Sequence, residues 1–86
     1  MKFAELDSVA LMQDVAAKPD DFSVGAPDGV LRAGAIGTIV HIFRYPEEAY
    51  IVEFVNHLGQ TTALPTLLPE QIRSLSNSEL QQRSRR

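Results

Sequence analysis

Two stretches of this chain constrain its fold more than anything else: Ala35 to Tyr45 and Ala49 to Val55, separated by three polar or turn-forming residues. In the first, Thr38-Ile39-Val40-His41-Ile42-Phe43 is dense in β-branched and aromatic side chains, which suit a pleated, half-buried surface. In the second, Tyr50, Val52 and Phe54 alternate with Ile51, Glu53 and Val55, the period of two that sends neighbouring side chains to opposite faces of a strand. The intervening Tyr45-Pro46-Glu47-Glu48 reads as a turn. Two long strands joined so closely must pair antiparallel, and the rest of the chain has to be arranged around them.

The remaining segments are shorter. Asp7 to Val15 reads as a first strand, with Val9 and Leu11 alternating against Ala10 and Met12. A long connection follows from Ala16 to Gly29, rich in Pro, Gly and Asp; a connection of this length in a compact domain is often functional. Gly34 and Gly37 precede or open the strand from Ala35, and glycine in a strand marks a bulge or a close backbone approach. Asn56-His57-Leu58-Gly59 predicts a hairpin loop, since Asn and Gly tolerate positive φ. Gln60 to Leu64 then pairs back on the preceding strand and stops at Pro65, which has no N–H for a ladder. Leu67 to Ile72 predicts one tight helical turn with Pro69 at its first position. Ile72 to Leu75 returns as a short fifth strand, and from Ser76 the chain is polar and rich in Arg, Gln and Ser.

Size and charge set limits. Folding an 86-residue chain hides roughly 60–65% of its extended surface, enough for one thin core and little more. There is no cysteine, hence no disulfide and no zinc–thiolate site. The N-terminal residues include Glu5 and Asp7 and no apolar run, unlike a signal peptide, and no stretch approaches the ~20 apolar residues of a membrane helix, so no membrane association and a cytoplasmic location are expected. Residues 1–72 carry four cations against ten acids, net −6; residues 73–86 carry four arginines against Glu79, net +3. An acidic body is repelled by phosphate backbones, whose neutralisation supplies most nucleic-acid affinity, so nucleic acid is not the expected partner.

The succession of short strands, one long loop, two hairpins and a late helical turn resembles a small SH3-like barrel. The residues that carry the resemblance are Gly34 to Val40, Tyr50 to Val55, Gly59 with Thr62 to Leu64, and Leu68 to Ile72. The pattern is similar to a family of small bacterial barrel proteins known only as a domain of unknown function, and more weakly to KOW-type segments and to the barrel domain at the end of the nitrile hydratase β subunit. It implies an all-β fold, a partly open five-stranded barrel spanning residues 1–75 with one short helical turn near the C-terminus, followed by a polar, basic tail over 76–86. Its motifs are structural glycines and alternating apolar residues, which specify a fold and bring no activity with them. The chain departs from the pattern in its long loop and in Ile51 and His41, which stand where such barrels often place charged residues.

No catalytic constellation is apparent. His41, Glu53 and His57 are the candidate metal ligands, but a metal site needs three or four converging groups with supporting shells, and a solvated His41 and a hairpin-loop His57 are the expected arrangement. Asp20-Asp21 and Glu47-Glu48 are adjacent pairs in turns, where neighbouring side chains diverge. No Gly-x-Ser-x-Gly elbow surrounds a serine, and Gly34-x-x-Gly37 lacks the third glycine and following helix of a dinucleotide fingerprint. Neither an enzyme nor a cofactor is expected.

The surface of the sheet carries more information. If Tyr50, Val52 and Phe54 fill the core, Ile51 and Val55 face outward; if Val40 and Ile42 point inward, Ile39, His41 and Phe43 face outward. The expected partner-binding residues are then Ile39, Phe43, Ile51 and Val55, with Phe22 of the long loop beside them, and Leu75 and Leu80 as side chains that could cover the same face. Large contiguous apolar patches on soluble proteins mark interaction sites. The sequence therefore points to a non-catalytic binding module that contacts a protein partner or a second copy of itself. A KOW-like nucleic-acid-associated barrel, or an accessory domain of an enzyme or a toxin–antitoxin-type system, are the alternatives.

Overall fold

The computed structural model describes residues 3–16, 30–56 and 58–75. The long connection beyond Ala16, with Phe22, as well as His57 and the tail from Ser76, lie outside the described residues. The fold is all-β. Its strands are β1 (Ser8–Leu11), β2 (Val15–Ala16), β3 (Val30–Leu31), β4 (Ile36–Phe43), β5 (Ala49–Val55), β6 (Thr61–Ala63), β7 (Thr66–Leu67) and β8 (Ile72–Ser74), with one 3₁₀ turn at Pro69–Gln71. Six strands form an antiparallel sheet in the order β6-β5-β4-β1-β8, with β7 also paired to β5; β2 and β3 form a separate two-stranded ribbon. Among the described residues the sheets do not close into a barrel.

β5 occupies the whole of its expected span because its alternation is uninterrupted. Tyr50 and Val52 are fully buried and Phe54 nearly so. β6 and β7 occupy the same edge of β5: Ala63 lies opposite Phe54, and Leu67 opposite Tyr50. The expected end at Pro65 is thus an interruption, after which the strand resumes. Pro65 has no N–H to give, and only its carbonyl is needed there, accepting the Val52 N–H at 3.1 Å. A register shift at Thr62 sets two residues against one on β5, and the Thr62 hydroxyl donates to the Phe54 carbonyl at 3.0 Å.

The expected single strand from Asp7 to Val15 is broken into β1 and β2. After Leu11 the Met12 N–H donates to Gln71 O at 2.9 Å, and Asp14 accepts the Ala33 N–H at 2.8 Å and the Arg32 guanidinium at 3.5 Å. Those bonds turn the chain out of the main sheet and into the ribbon. β8 returns against β1, Ile72 opposite Leu11 and Ser74 opposite Val9. The 3₁₀ turn before it has Pro69 at its start, and the Gln71 side chain accepts the Leu68 N–H at 2.8 Å.

The core gathers Phe3, Val9, Leu11, Leu31, Ile39, Tyr50, Val52, Phe54, Ala63, Leu67 and Ile72, with Val15, Ala35 and Ile42 packed against it. Phe3 lies edge-on to Tyr50, ring centres 5.3 Å apart. A turn over Ala4 to Asp7 brings it there: Asp7 Oδ2 accepts the Ala4 N–H and the Asp7 N–H donates back to Ala4 O, with Leu6 at φ +73°.

Candidate functional site

The pairing of β4 with β5 decides which side chains reach the outer face. Opposite residues in an antiparallel pair share a face. Ile39 lies opposite Val52 and Ile42 opposite Tyr50, so both face the core; Thr38 lies opposite Glu53, His41 opposite Ile51 and Phe43 opposite Ala49, so these face outward. Between Ile39 and His41 the register shifts: Val52 and Ile51 are adjacent on β5, whereas Val40 is an extra residue on β4. This β-bulge lets Val40 and His41 both lie away from the core.

The bulge corrects the expected assignment. Ile39 is completely buried in the core, and Val40, expected inside, is 39% exposed. Beyond the bulge the expected phase holds: Phe43 is 40% exposed, and Ile42 packs on the core. Ile51 is half-buried and Val55 is 42% exposed. Phe22 lies outside the described residues.

The outer face is also divided. Ser8 lies opposite Thr38, and Thr38 opposite Glu53, making a polar row across β1, β4 and β5. Thr61, across from Val55, donates its hydroxyl to Glu53 Oε2. Ile51 and Val55 therefore fall on opposite sides of this row. On one side lies Val55, with Leu58 beyond it in the β5–β6 hairpin. On the other side lie Val40, Phe43 and Ile51, with Tyr45 in the β4–β5 turn 83% exposed. The His41 ring meets Phe43 edge-on at 4.7 Å. The Leu6 N–H donates to Ile39 O at 2.7 Å, which sets Leu6, 77% exposed, beside the bulge. Exposed apolar side chains thus gather around the β4–β5 hairpin. Sequence reasoning missed Val40, Tyr45 and Leu6: the bulge breaks the alternation that would have found Val40, while Tyr45 and Leu6 stand in turns, where alternation says nothing.

Carboxylates border this hairpin. Glu47 and Glu48 stand in its turn and Glu53 on the polar row, against Arg44. Glu48 Oε2 and the Tyr50 hydroxyl are both buried without a hydrogen-bond partner of good geometry. Burial first, and the neighbouring Glu48 carboxylate second, push the Tyr50 hydroxyl up to about 12 from 10.0, with Arg44 acting weakly the other way. The hydroxyl therefore stays protonated across the physiological range and offers no base.

Of the proposed metal ligands, His41 and Glu53 share the outer face but not a cross-strand pair, and His57 lies outside the described residues. Among the described residues no three His, Asp or Glu side chains gather as an ion site. Asp20 and Asp21 also lie outside them. No helix among the described residues is long and apolar enough to cross a membrane.

No curated protein and no solved structure matches the chain. A family model does match, over residues 5–74, which takes in every strand of the main sheet. The chain belongs to the family described as a domain of unknown function, DUF4926.

Proposed function

We propose that this domain is a non-catalytic, cytoplasmic protein-binding module that docks its partner on the β4–β5 half of the outer sheet face. The observation that carries the reading is the cluster of exposed apolar side chains, Val40, Phe43 and Tyr45 with Ile51, around one hairpin. Clustered exposed apolar surface with a polar border is the form that protein interaction sites take. The two sheet edges favour the face over strand addition. On β8 the Arg73 guanidinium donates to the Ser74 carbonyl at 3.3 Å, and the β6–β7 edge carries Pro65. An SH3-like architecture fits the strand order, with the 3₁₀ turn leading into a last strand paired with the first. Among the described residues seven carboxylates stand against three guanidiniums, so a phosphate backbone is disfavoured as partner.

The test compares three full-length chains: the parent, Phe43→Glu, and Leu58→Glu as an exposed control on the other hairpin. Affinity capture from native lysate and light scattering are read together. Loss of a captured protein, or of a dimer mass, in Phe43→Glu alone supports the reading. Retention of every partner and an unchanged mass in Phe43→Glu rejects it.

A further inference from the structure

The half of the outer face that holds Phe43 and Ile51 continues onto the next strand. Buried and exposed residues alternate without a break from Ala63 to Leu68, Pro65 included. Thr66 lies opposite the outward-facing Ile51, so Leu64 and Leu68, on either side of it, face outward as well. Leu64 is 42% exposed and Leu68 36%. From Val40 and Phe43 on β4 across β5 to Leu64 and Leu68 is two strand spacings, about 10 Å, and an α-helix with its side chains is about 10–12 Å across. One helix therefore matches the width of this apolar surface. Neither sheet edge invites an added strand, so an occupant meets the face with side chains, which a helix presents at i, i+3, i+4 and i+7.

The charges around the surface are of one sign. Glu5 adjoins Leu6 at the bulge, Glu47 stands in the β4–β5 turn, Glu53 in the polar row and Glu70 in the 3₁₀ turn, two residues past Leu68. The Thr61 hydroxyl donates to Glu53 and fixes that carboxylate on the sheet. Arg44 acts on the Tyr50 hydroxyl, which belongs to the core, and Arg73 lies opposite Ala10 near the far edge of the sheet. A second copy brings the same carboxylates to the contact, and an anionic lipid surface is repelled by them. A helix rimmed with lysine or arginine is attracted, which is the complementarity that sets partner choice across an interface.

We propose that the partner of this face is a basic amphipathic helix of another protein. Its apolar stripe seats on Phe43, Ile51 and Leu68, and its cations stand against Glu53, Glu47 and Glu70. This partner class rests on the binding function proposed above.

The probe is a synthetic peptide of about 18 residues, five helical turns, made of leucine at i, i+3, i+4 and i+7 with lysine elsewhere. It is titrated into the isotope-labelled full-length protein. Amide shifts are expected at His41 to Phe43, Ile51 and Thr66 to Leu68, and none at Val15 or Leu31 on the ribbon. Phe43→Ser is expected to weaken binding at least about tenfold, and Glu47→Gln with Glu53→Gln at least about threefold. A leucine–glutamate peptide of the same spacing, and a leucine–lysine peptide scrambled so that it has no apolar stripe, should each bind at least about tenfold more weakly. Equal binding by either control peptide overturns the proposal, as do shifts confined to other surfaces or no shift at about 1 mM peptide. So does a dimer mass in the free protein that Phe43→Ser abolishes, which assigns the face to a second copy. A native partner captured equally by Phe43→Glu defeats the binding function itself. Capture lost in Phe43→Glu, with no preference for the leucine–lysine peptide, defeats only the basic helix.

Discussion

Gly37 is where the structure makes its sharpest demand on the sequence. It is buried in β4, and a Cβ built on it would stand 2.6 Å from Val52 Cγ1, 2.8 Å from the Glu53 carbonyl oxygen and 3.0 Å from Phe54 Cε1. Ordinary contacts of this kind begin near 3.4 Å, so a methyl group has to open the β4–β5 pairing by several tenths of an ångström. Val52 is fully buried, and the Glu53 oxygen is backbone. Overpacking of this kind costs roughly 1–3 kcal/mol. Alanine's smaller unfolded-state entropy returns about 0.4–1 kcal/mol. Gly37→Ala is therefore expected to destabilise by about 1–2 kcal/mol, a fall in Tm of roughly 5–15 °C for a domain this size. Urea unfolding followed by circular dichroism measures it as a lower midpoint at unchanged slope. Gly34 and Gly59 are the internal controls: nothing lies within 4 Å of a Cβ at either, and their cost comes only from φ of +89° and +81°. A Gly37→Ala midpoint within about 0.3 kcal/mol of the parent refutes the close approach of the two strands.

Other expectations follow from the same packing. Ile39→Ala opens a cavity in the core and should cost about 2–4 kcal/mol in urea unfolding, whereas Val40→Ala, one residue away, should cost under about 1 kcal/mol; equal costs would remove the bulge from the fold. Because the Tyr50 hydroxyl titrates at about 12 when folded and at 10.0 otherwise, its neutral form is favoured by folding, so its contribution is intact below pH 10 and is lost as pH rises from 10 to 12. Tyr50→Phe should flatten that limb of a stability–pH curve and, by deleting an unpartnered buried hydroxyl, leave neutral-pH stability unchanged or raised by about 1 kcal/mol; a large neutral-pH loss would show the hydroxyl to be satisfied. Leu6→Gly relieves a left-handed backbone that costs an L-residue roughly 1–2 kcal/mol, less the 0.4–1 kcal/mol of added unfolded-state entropy, so thermal unfolding should show no loss and a gain of up to about 1.6 kcal/mol.

The parts of this fold legible in the sequence are those where local chemistry and tertiary packing agree. β5 alternates without fault. Gly59 turns the following hairpin at positive φ, and Pro69 starts the 3₁₀ turn. Gly37 announces a close backbone approach, which proves to be the Glu53 carbonyl. What was not legible depends on partners distant in sequence. Phe3 belongs to no alternating run, and its burial depends on the edge-on contact with Tyr50, far away in sequence. The β1–β2 break is set by Asp14 reaching Ala33, nineteen positions away. β7 exists because β5 has an edge left to fill after Pro65. Of the outer face, Phe43 and Val55 were legible from alternation, whereas Ile39 was misplaced by one residue of phase.

That phase error contains its own test. The β4–β5 pairing passes directly from Ile39 opposite Val52 to His41 opposite Ile51, and then to Ile42 opposite Tyr50. Val40 has no counterpart on β5, so the residues on either side of it already stand in continuous register. Deleting Val40 leaves Ile39 and Ile42 facing the core and His41 and Phe43 facing out, as regular alternation requires. Removing a residue from a central strand ordinarily flips every side chain beyond it. Here the loss should be limited to the bulge's local contacts, about 1–2 kcal/mol, with the native sheet retained by amide fingerprint. Deleting Thr38 instead carries no such compensation: one flank must slip by a residue, moving Gly37 from its place against Glu53 or Ile39 from the core, and the domain should unfold. A Val40 deletion that unfolds as readily as the Thr38 deletion would show that the extra residue is structural and that the two outer-face positions, Val40 and His41, are not independent of the core.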